Sequence, residues 1–139
     1  MEAKASASGD APFKTASLDH ISYSVSDYGR SRDFYTDLMG WVVKDDDGKQ
    51  QARMSIGDVG DIIIRNARNP VSLPGRRGQP PITGVIDHIA WHLETFDTDF
   101  VRGELERRGL DPRRDQGTPE MHYDSYHIKD PDGWDLQIS

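Results

Sequence analysis

Cysteine is absent from the 139 residues. No disulfide can form and no thiolate can hold zinc, so any metal rests on histidine, carboxylate, amide or water. Also missing is an apolar run long enough to span a bilayer. Basic residues are in deficit, with 17 Lys and Arg against 24 Asp and Glu and a formal net charge of −7. That balance argues against non-specific binding to nucleic acid or to an anionic membrane, so neither is an expected partner. Apolar residues are scarce too, at 35%, which leaves a modest core for one domain and makes self-association favourable. Residues 1–16 are small, polar and aperiodic. They lack the basic start and apolar stretch of a secretory signal and read as a disordered tail, with the cytoplasm as default compartment.

What is present begins with alternation. From Leu18 to Ser26, His20, Ser22 and Ser24 share one side of a strand and Ile21, Tyr23 and Val25 the other. Asp27 is placed to cap a helix over Arg30 to Met39, with Phe34, Tyr35 and Leu38 on its apolar face and Gly40 to end it. Trp41 to Lys44, Gln51 to Ile56 and Ile62 to Arg65 follow as strands, separated by Asp45-Asp46-Asp47-Gly48 and Gly57-Asp58-Val59-Gly60. The first of these turns lacks the further ligand spacing of a calcium loop and reads as a solvated hairpin tip. Residues 17–65 thus form a βαβββ module. Residues 66–84, with Pro70, Pro74, Pro80 and Pro81 among them, form a linker.

The chain then restarts. Ile86-Asp87-His88-Ile89-Ala90-Trp91-His92 repeats Leu18-Asp19-His20-Ile21-Ser22-Tyr23-Ser24 position for position, 68 residues later. A helix over Thr98 to Arg108 stops at Gly109, and strands near Tyr123 to Lys129 and after Trp134 close a second module, 85–139. Two copies at this period mean an internally duplicated half-domain and not a solenoid. Asp130-Pro131-Asp132-Gly133 is a turn by mechanism. The strand after it puts Trp134, Leu136 and Ile138 on one face and Asp135, Gln137 and Ser139 on the other.

A duplicated βαβββ unit with Asp-His-Ile opening both halves, Phe34-Tyr35-Thr36-Asp37-Leu38-Met39-Gly40-Trp41 ending a helix, and Asp-Pro-Asp-Gly before the last strand resembles the vicinal oxygen chelate superfamily. That group includes glyoxalase I, extradiol dioxygenases, fosfomycin-resistance enzymes and bleomycin-binding proteins. The resemblance covers residues 18–139. It implies an α+β, glyoxalase-like fold in which the two modules form a cupped mixed sheet around a divalent metal ion such as Zn, Mn, Fe or Ni. Carried over position by position, the metal histidines match His20 and His88. The carboxylate of the last strand is replaced here by Gln137. A fourth family ligand would fall at Ile64 or Arg65, and neither can serve.

The resemblance therefore implies a metal-dependent enzyme, lyase- or isomerase-like in type, acting on a small oxygenated substrate through Lewis-acid chemistry, and a homodimer. His127 falls where extradiol enzymes carry a tyrosine near the metal. His127 and His92, on the face of His88, are the candidates for proton transfer. Each residue also has a plain reading: His20 and His88 as strand histidines bonded to backbone, Gln137 as a hydrogen-bonding amide, His92 as solvated, His127 as pocket lining. His122 and Tyr123 read as surface loop, and Arg53, Arg65 and Arg68 as soluble surface or as contacts for an anionic substrate. Two other functions stay open. One is an extradiol-type ring-cleaving dioxygenase. The other is a metal-free sequestration protein of the bleomycin-resistance type, with Trp41, Trp91 and Tyr126 offering stacking area in the cup.

Overall fold

The computed structural model describes residues 11–119 and 122–139. The elements run β1 (Thr15–Val25), α1 (Tyr28–Met39), β2 (Val42–Asp46), β3 (Gln51–Ile56), β4 (Gly60–Asn66), β5 (Val85–Leu93), α2 (Thr98–Arg107), β6 (Arg113–Gly117), β7 (His122–Lys129) and β8 (Asp135–Ile138). This is the α+β arrangement of two βαβββ modules. Their strands make one eight-stranded, curled sheet in the order β2-β3-β4-β1-β5-β8-β7-β6. The modules meet edge to edge through antiparallel β1 and β5, so they pair within one chain.

Local chemistry explains the helix ends. The Asp27 side chain accepts from the Arg30 amide at 3.0 Å, and Asp97 accepts from Phe100 at 2.8 Å, each filling an orphan donor of a first turn. Gly40 closes α1 in the left-handed region at φ 66°, its amide donating to the Thr36 carbonyl. Asp47 draws the β2–β3 turn tight by accepting from the amides of Lys49, Gln50 and Gln51.

Each module has its own apolar cluster. In the first, Tyr28 and Tyr35 of α1 pack with Ile21, Tyr23, Val25, Ala52, Met54, Ile62 and Ile64. In the second, Val101 and Leu105 of α2 pack with Tyr126, Ile128, Leu136, Ile138 and Phe13. Strand alternation puts both sets on the same side of the sheet, so the helices cover that side alone. The opposite, polar face carries His20, Ser22, His88, Ala90, Gln137, Ser125 and His127, and among the described residues no helix lies over it.

Several expectations shift. Residues 1–10 of the expected tail lie outside the described residues, but Phe13 packs edge-on to Phe100 and Lys14 pairs with Glu94. Phe34 and Leu38 do not face the core: they are 55% and 66% exposed, because Tyr28 and Tyr35 supply the buried side of α1. The strand β6 carries no apolar alternation (Arg113-Arg114-Asp115-Gln116-Gly117) and gave no signal of its own. His122 and Tyr123 belong to β7, not to a loop, while Glu120 and Met121 lie outside the described residues. The linker holds one antiparallel bridge, Leu73 with Ile82. Among the described residues no helix is long and apolar enough to cross a membrane.

Candidate functional site

The register of the sheet places the histidines. His20 stands on β1 and His88 on β5, the central antiparallel pair, with Ser22 directly opposite His88. Their Nε2 atoms come within 3.1 Å of each other and both rings are buried. On the far side of each ring, Nδ1–H donates to the aspartate just before it: His20 to Asp19 at 2.6 Å, His88 to Asp87 at 2.7 Å. Strict alternation would send those aspartates to the opposite face. The pairing slips at Asp19 on β1 and at Asp87 on β5, and these two bulges turn each carboxylate back beside its imidazole.

The consequence is chemical. A carboxylate accepting at Nδ1 fixes the tautomer, leaving Nε2 with its lone pair outward. Two such nitrogens face each other here at 3.1 Å, an arrangement that calls for a proton or a cation between them. The hydrogen bond from His20 chiefly holds the Asp19 carboxyl down to about 2, against the opposing push of burial. Burial lowers the pKa of His88, favouring its neutral, ligating form.

His127, on β7, lies beside this pair: its ring centroid is 5.2 Å from that of His88, edge to face. Its Nδ1–H donates to Asp135 at 2.6 Å, while Nε2 is 3.7 Å from Asp115 Oδ2. Gln137 is buried and faces His127 across the β7–β8 pairing. Its amide nitrogen donates to Ser125 Oγ at 2.9 Å, so the carbonyl oxygen is the amide's only donor atom for a cation. His92 is also on this face but is engaged at both nitrogens, with Asp19 at 2.9 Å and Ser139 Oγ at 3.0 Å. It braces Asp19 from the side away from His20.

The structure thus gathers His20, His88, Gln137 and His127 on one face and sets His92 behind Asp19. Three carboxylates hold the imidazoles, Asp19, Asp87 and Asp135, a role that sequence reasoning misses. The repeated Asp-His dipeptide is the trace of the first two, though the bulges that give it meaning have no sequence signature. For Asp135 the trace is its place beside Gln137 on the polar face of the last strand. Arg53 is tied to Asp61 at 2.5 Å and to Asp19 at 3.4 Å, a supporting strut. The stacking area expected in the cup is not there. Trp41 stacks on Tyr35 at 4.4 Å, Tyr126 is buried in the second apolar cluster, and Trp91 alternates with Ala90 and His92 onto the helix side.

The register also relocates the fourth ligand position. His20 pairs with Asp61 as His88 pairs with Asp135, so the counterpart of Gln137 is Ile63. Ile64 points into the core and Arg65 lies one pleat farther along. Ile63 offers no donor. Among the described residues no three His, Asp or Glu side chains form a group able to hold a metal ion. The histidine pair fits one ion as far as it goes, since two nitrogens each about 2.1 Å from a zinc ion can lie 3.1 Å apart. A third donor has to come from Gln137, water or substrate.

Comparison with known proteins agrees with this architecture. Solved structures similar in fold include an extradiol ring-cleaving dioxygenase from Brevibacterium fuscum and the anaerobic complex of homoprotocatechuate 2,3-dioxygenase from the same organism with 3,4-dihydroxyphenylacetate. Each has a TM-score of 0.69 and 18% identity, covering 91% of this chain. The matched region is 32% of the first of those chains and 36% of the second, so this chain spans about a third of their length. A search of curated proteins returns no match. Residues 17–138 match the family described as the Glyoxalase/Bleomycin resistance protein/Dioxygenase superfamily, and the chain belongs to that superfamily.

Proposed function

We propose that the chain is a metal-dependent enzyme of the cytoplasm that holds one divalent cation between His20 and His88, with the Gln137 carbonyl oxygen as third donor. The observation that carries this reading is the 3.1 Å approach of two Nε2 atoms whose Nδ1 atoms are both committed to carboxylates. Carboxylate–imidazole pairs of this kind orient metal-binding histidines and raise their basicity. All three donors are neutral, so none of them offsets the charge of the ion. Held by His20, His88 and Gln137, such an ion would supply Lewis acidity toward adjacent oxygens of a small oxygenated substrate, the chemistry a lyase or isomerase requires.

The protein's own groups do the rest. Asp19 and Asp87 keep the imidazoles turned inward, and Arg53 and His92 keep Asp19 in place. His127 is the group set to move a proton. Asp135 fixes its Nδ1–H, which leaves Nε2 on the side of Asp115 to take or return one. Ser125 holds the Gln137 amide in one orientation.

The test is metal content. Protein purified without chelators or a polyhistidine tag should carry one Zn, Mn, Fe or Ni per chain, and His88→Ala should carry none. A second reading has its own observation, the lack of any three-residue His, Asp or Glu group among the described residues. In it the histidines share a proton and the chain sequesters its ligand without catalysis. Equal, negligible metal in wild type and His88→Ala would favour that reading. Oxygen uptake with catechols would instead mark a ring-cleaving dioxygenase.

A further inference from the structure

Two buried side-chain polar atoms have no hydrogen-bond partner among the described residues, Ser22 Oγ and Arg65 Nε. They are not scattered. Ser22 lies on β1 opposite His88, and Arg65 lies on β4 opposite Ser24, one pleat from Ser22 and on the same polar face. Arg53, on that face too, is matched by two carboxylates, whereas Arg65 has none among the described residues. A guanidinium half withdrawn from water without a counter-charge is costly unless a ligand supplies one.

A second arginine shares the polar face. Arg113 on β6 stands opposite His127 and also lacks a carboxylate partner among the described residues, but it is exposed to solvent, whereas the Arg65 Nε is buried. Asp115, the carboxylate nearest Arg113 on that face, is occupied by the Tyr123 hydroxyl at 3.2 Å and lies 3.7 Å from His127 Nε2. Arg65 is therefore the cation of this face that is both withdrawn from water and without a counter-charge among the described residues.

We infer that Arg65 binds the carboxylate of the substrate while the histidine pair handles its reacting oxygens. The inference deepens the function proposed above and rests on it for the second half of that statement. A planar carboxylate suits the guanidinium fork. A dianionic phosphate suits the site less, because Asp19, Asp61, Asp115 and Asp135 already crowd this face with negative charge.

The experiment uses the full chain, wild type and variants, and a matched pair of probes, benzoate and benzamide, with inorganic phosphate as the tetrahedral alternative. Calorimetry should show benzoate binding at least about tenfold more tightly than benzamide, the scale of one charge-assisted hydrogen bond. Arg65→Met should reduce benzoate to the benzamide level, with Arg65→Lys between. His88→Ala should keep the preference for benzoate, so a failed metal proposal leaves this result readable. Should Arg65→Met not fold, Arg65→Lys and Arg65→Gln carry the comparison, each weakening benzoate and not benzamide. Equal binding of the two probes, no benzoate binding, or benzoate affinity unchanged in the arginine variants would overturn the inference. Phosphate binding more tightly than benzoate would overturn the choice of carboxylate.

Discussion

In the first module the strand position one pleat from Asp61 carries Ile63, and in the second the same position, one pleat from Asp135, carries Gln137. The neighbouring strand repeats the contrast: Arg53 opposes Ile63, whereas His127 opposes Gln137. Both modules keep an aspartate bonded to that basic neighbour, Asp61 to Arg53 and Asp135 to His127. One backbone plan therefore supports two chemistries. The first module lends His20 and a saturated ionic strut. The second supplies His88, a polar amide and a histidine beside it. The duplicated fold has become a one-sided arrangement, with the polar amide and the additional histidine confined to the second half.

The helices differ in the same lopsided way, and this gives the largest effect. Leu105 of α2 is 2% exposed within the second apolar cluster. Leu105→Ala should cost about 2–5 kcal/mol by chemical denaturation. On α1, Leu38→Ala should stay within about 0.5 kcal/mol at concentrations where the chain is monomeric. A comparable loss there would mean that α1 is covered within its own chain. We also propose a homodimer, in which Phe34, Leu38 and Met39, the exposed apolar surface of α1, meet a second copy. Light scattering at twice the 15.7 kDa chain mass, lowered by Leu38→Asp, is the result expected.

Next in size is the pair of carboxylates behind His20 and His88, the histidines proposed to hold the metal. Asp19→Asn should lower metal affinity by about 10–100-fold, the range for such supporting partners. Asp87→Asn should cost less, because Asp87 is 53% exposed while Asp19 is 22% exposed and braced by Arg53 and His92. Equal losses would make the two halves equivalent and break the asymmetry.

The smallest effect is on acid stability. Burial works to raise the Asp61 carboxyl, but Arg53 and Lys44 outweigh it and hold the group below its ordinary 3.8. A depressed carboxyl stabilises the fold at pH above that ordinary value, and the contribution is lost as pH falls through it toward the lower folded value. Asp61→Asn should therefore destabilise at neutral pH and flatten the loss of stability below about pH 4 in thermal melts. An unchanged acid profile would show that the strut in the first module contributes nothing.

Much of this was legible in the sequence. The Asp-His-Ile repeat and the Asp-Pro-Asp-Gly turn carried the duplicated fold, and period-two alternation put His20, His88 and Gln137 on polar faces. Other features depend on events alternation does not encode. The bulges at Asp19 and Asp87 reverse two side chains without a mark in composition. The β1–β5 pairing within one chain is a choice between equally good strand edges. Arg113-Arg114-Asp115 forms a strand only because β7 offers it an edge, and Trp41 is drawn from the cup by Tyr35, a neighbour known only from packing.

The central claim is that His20, His88 and Gln137 hold one cation, and a single titration tests it. Metal-free wild type and Gln137→Glu are titrated with Zn(II), Mn(II) and Fe(II) by calorimetry. One site per chain in wild type, and tighter binding in the variant as a carboxylate replaces the neutral amide, is the result the account predicts. Equal affinity in both proteins would show that Gln137 does not touch the ion, and no binding in either would contradict the metal centre itself.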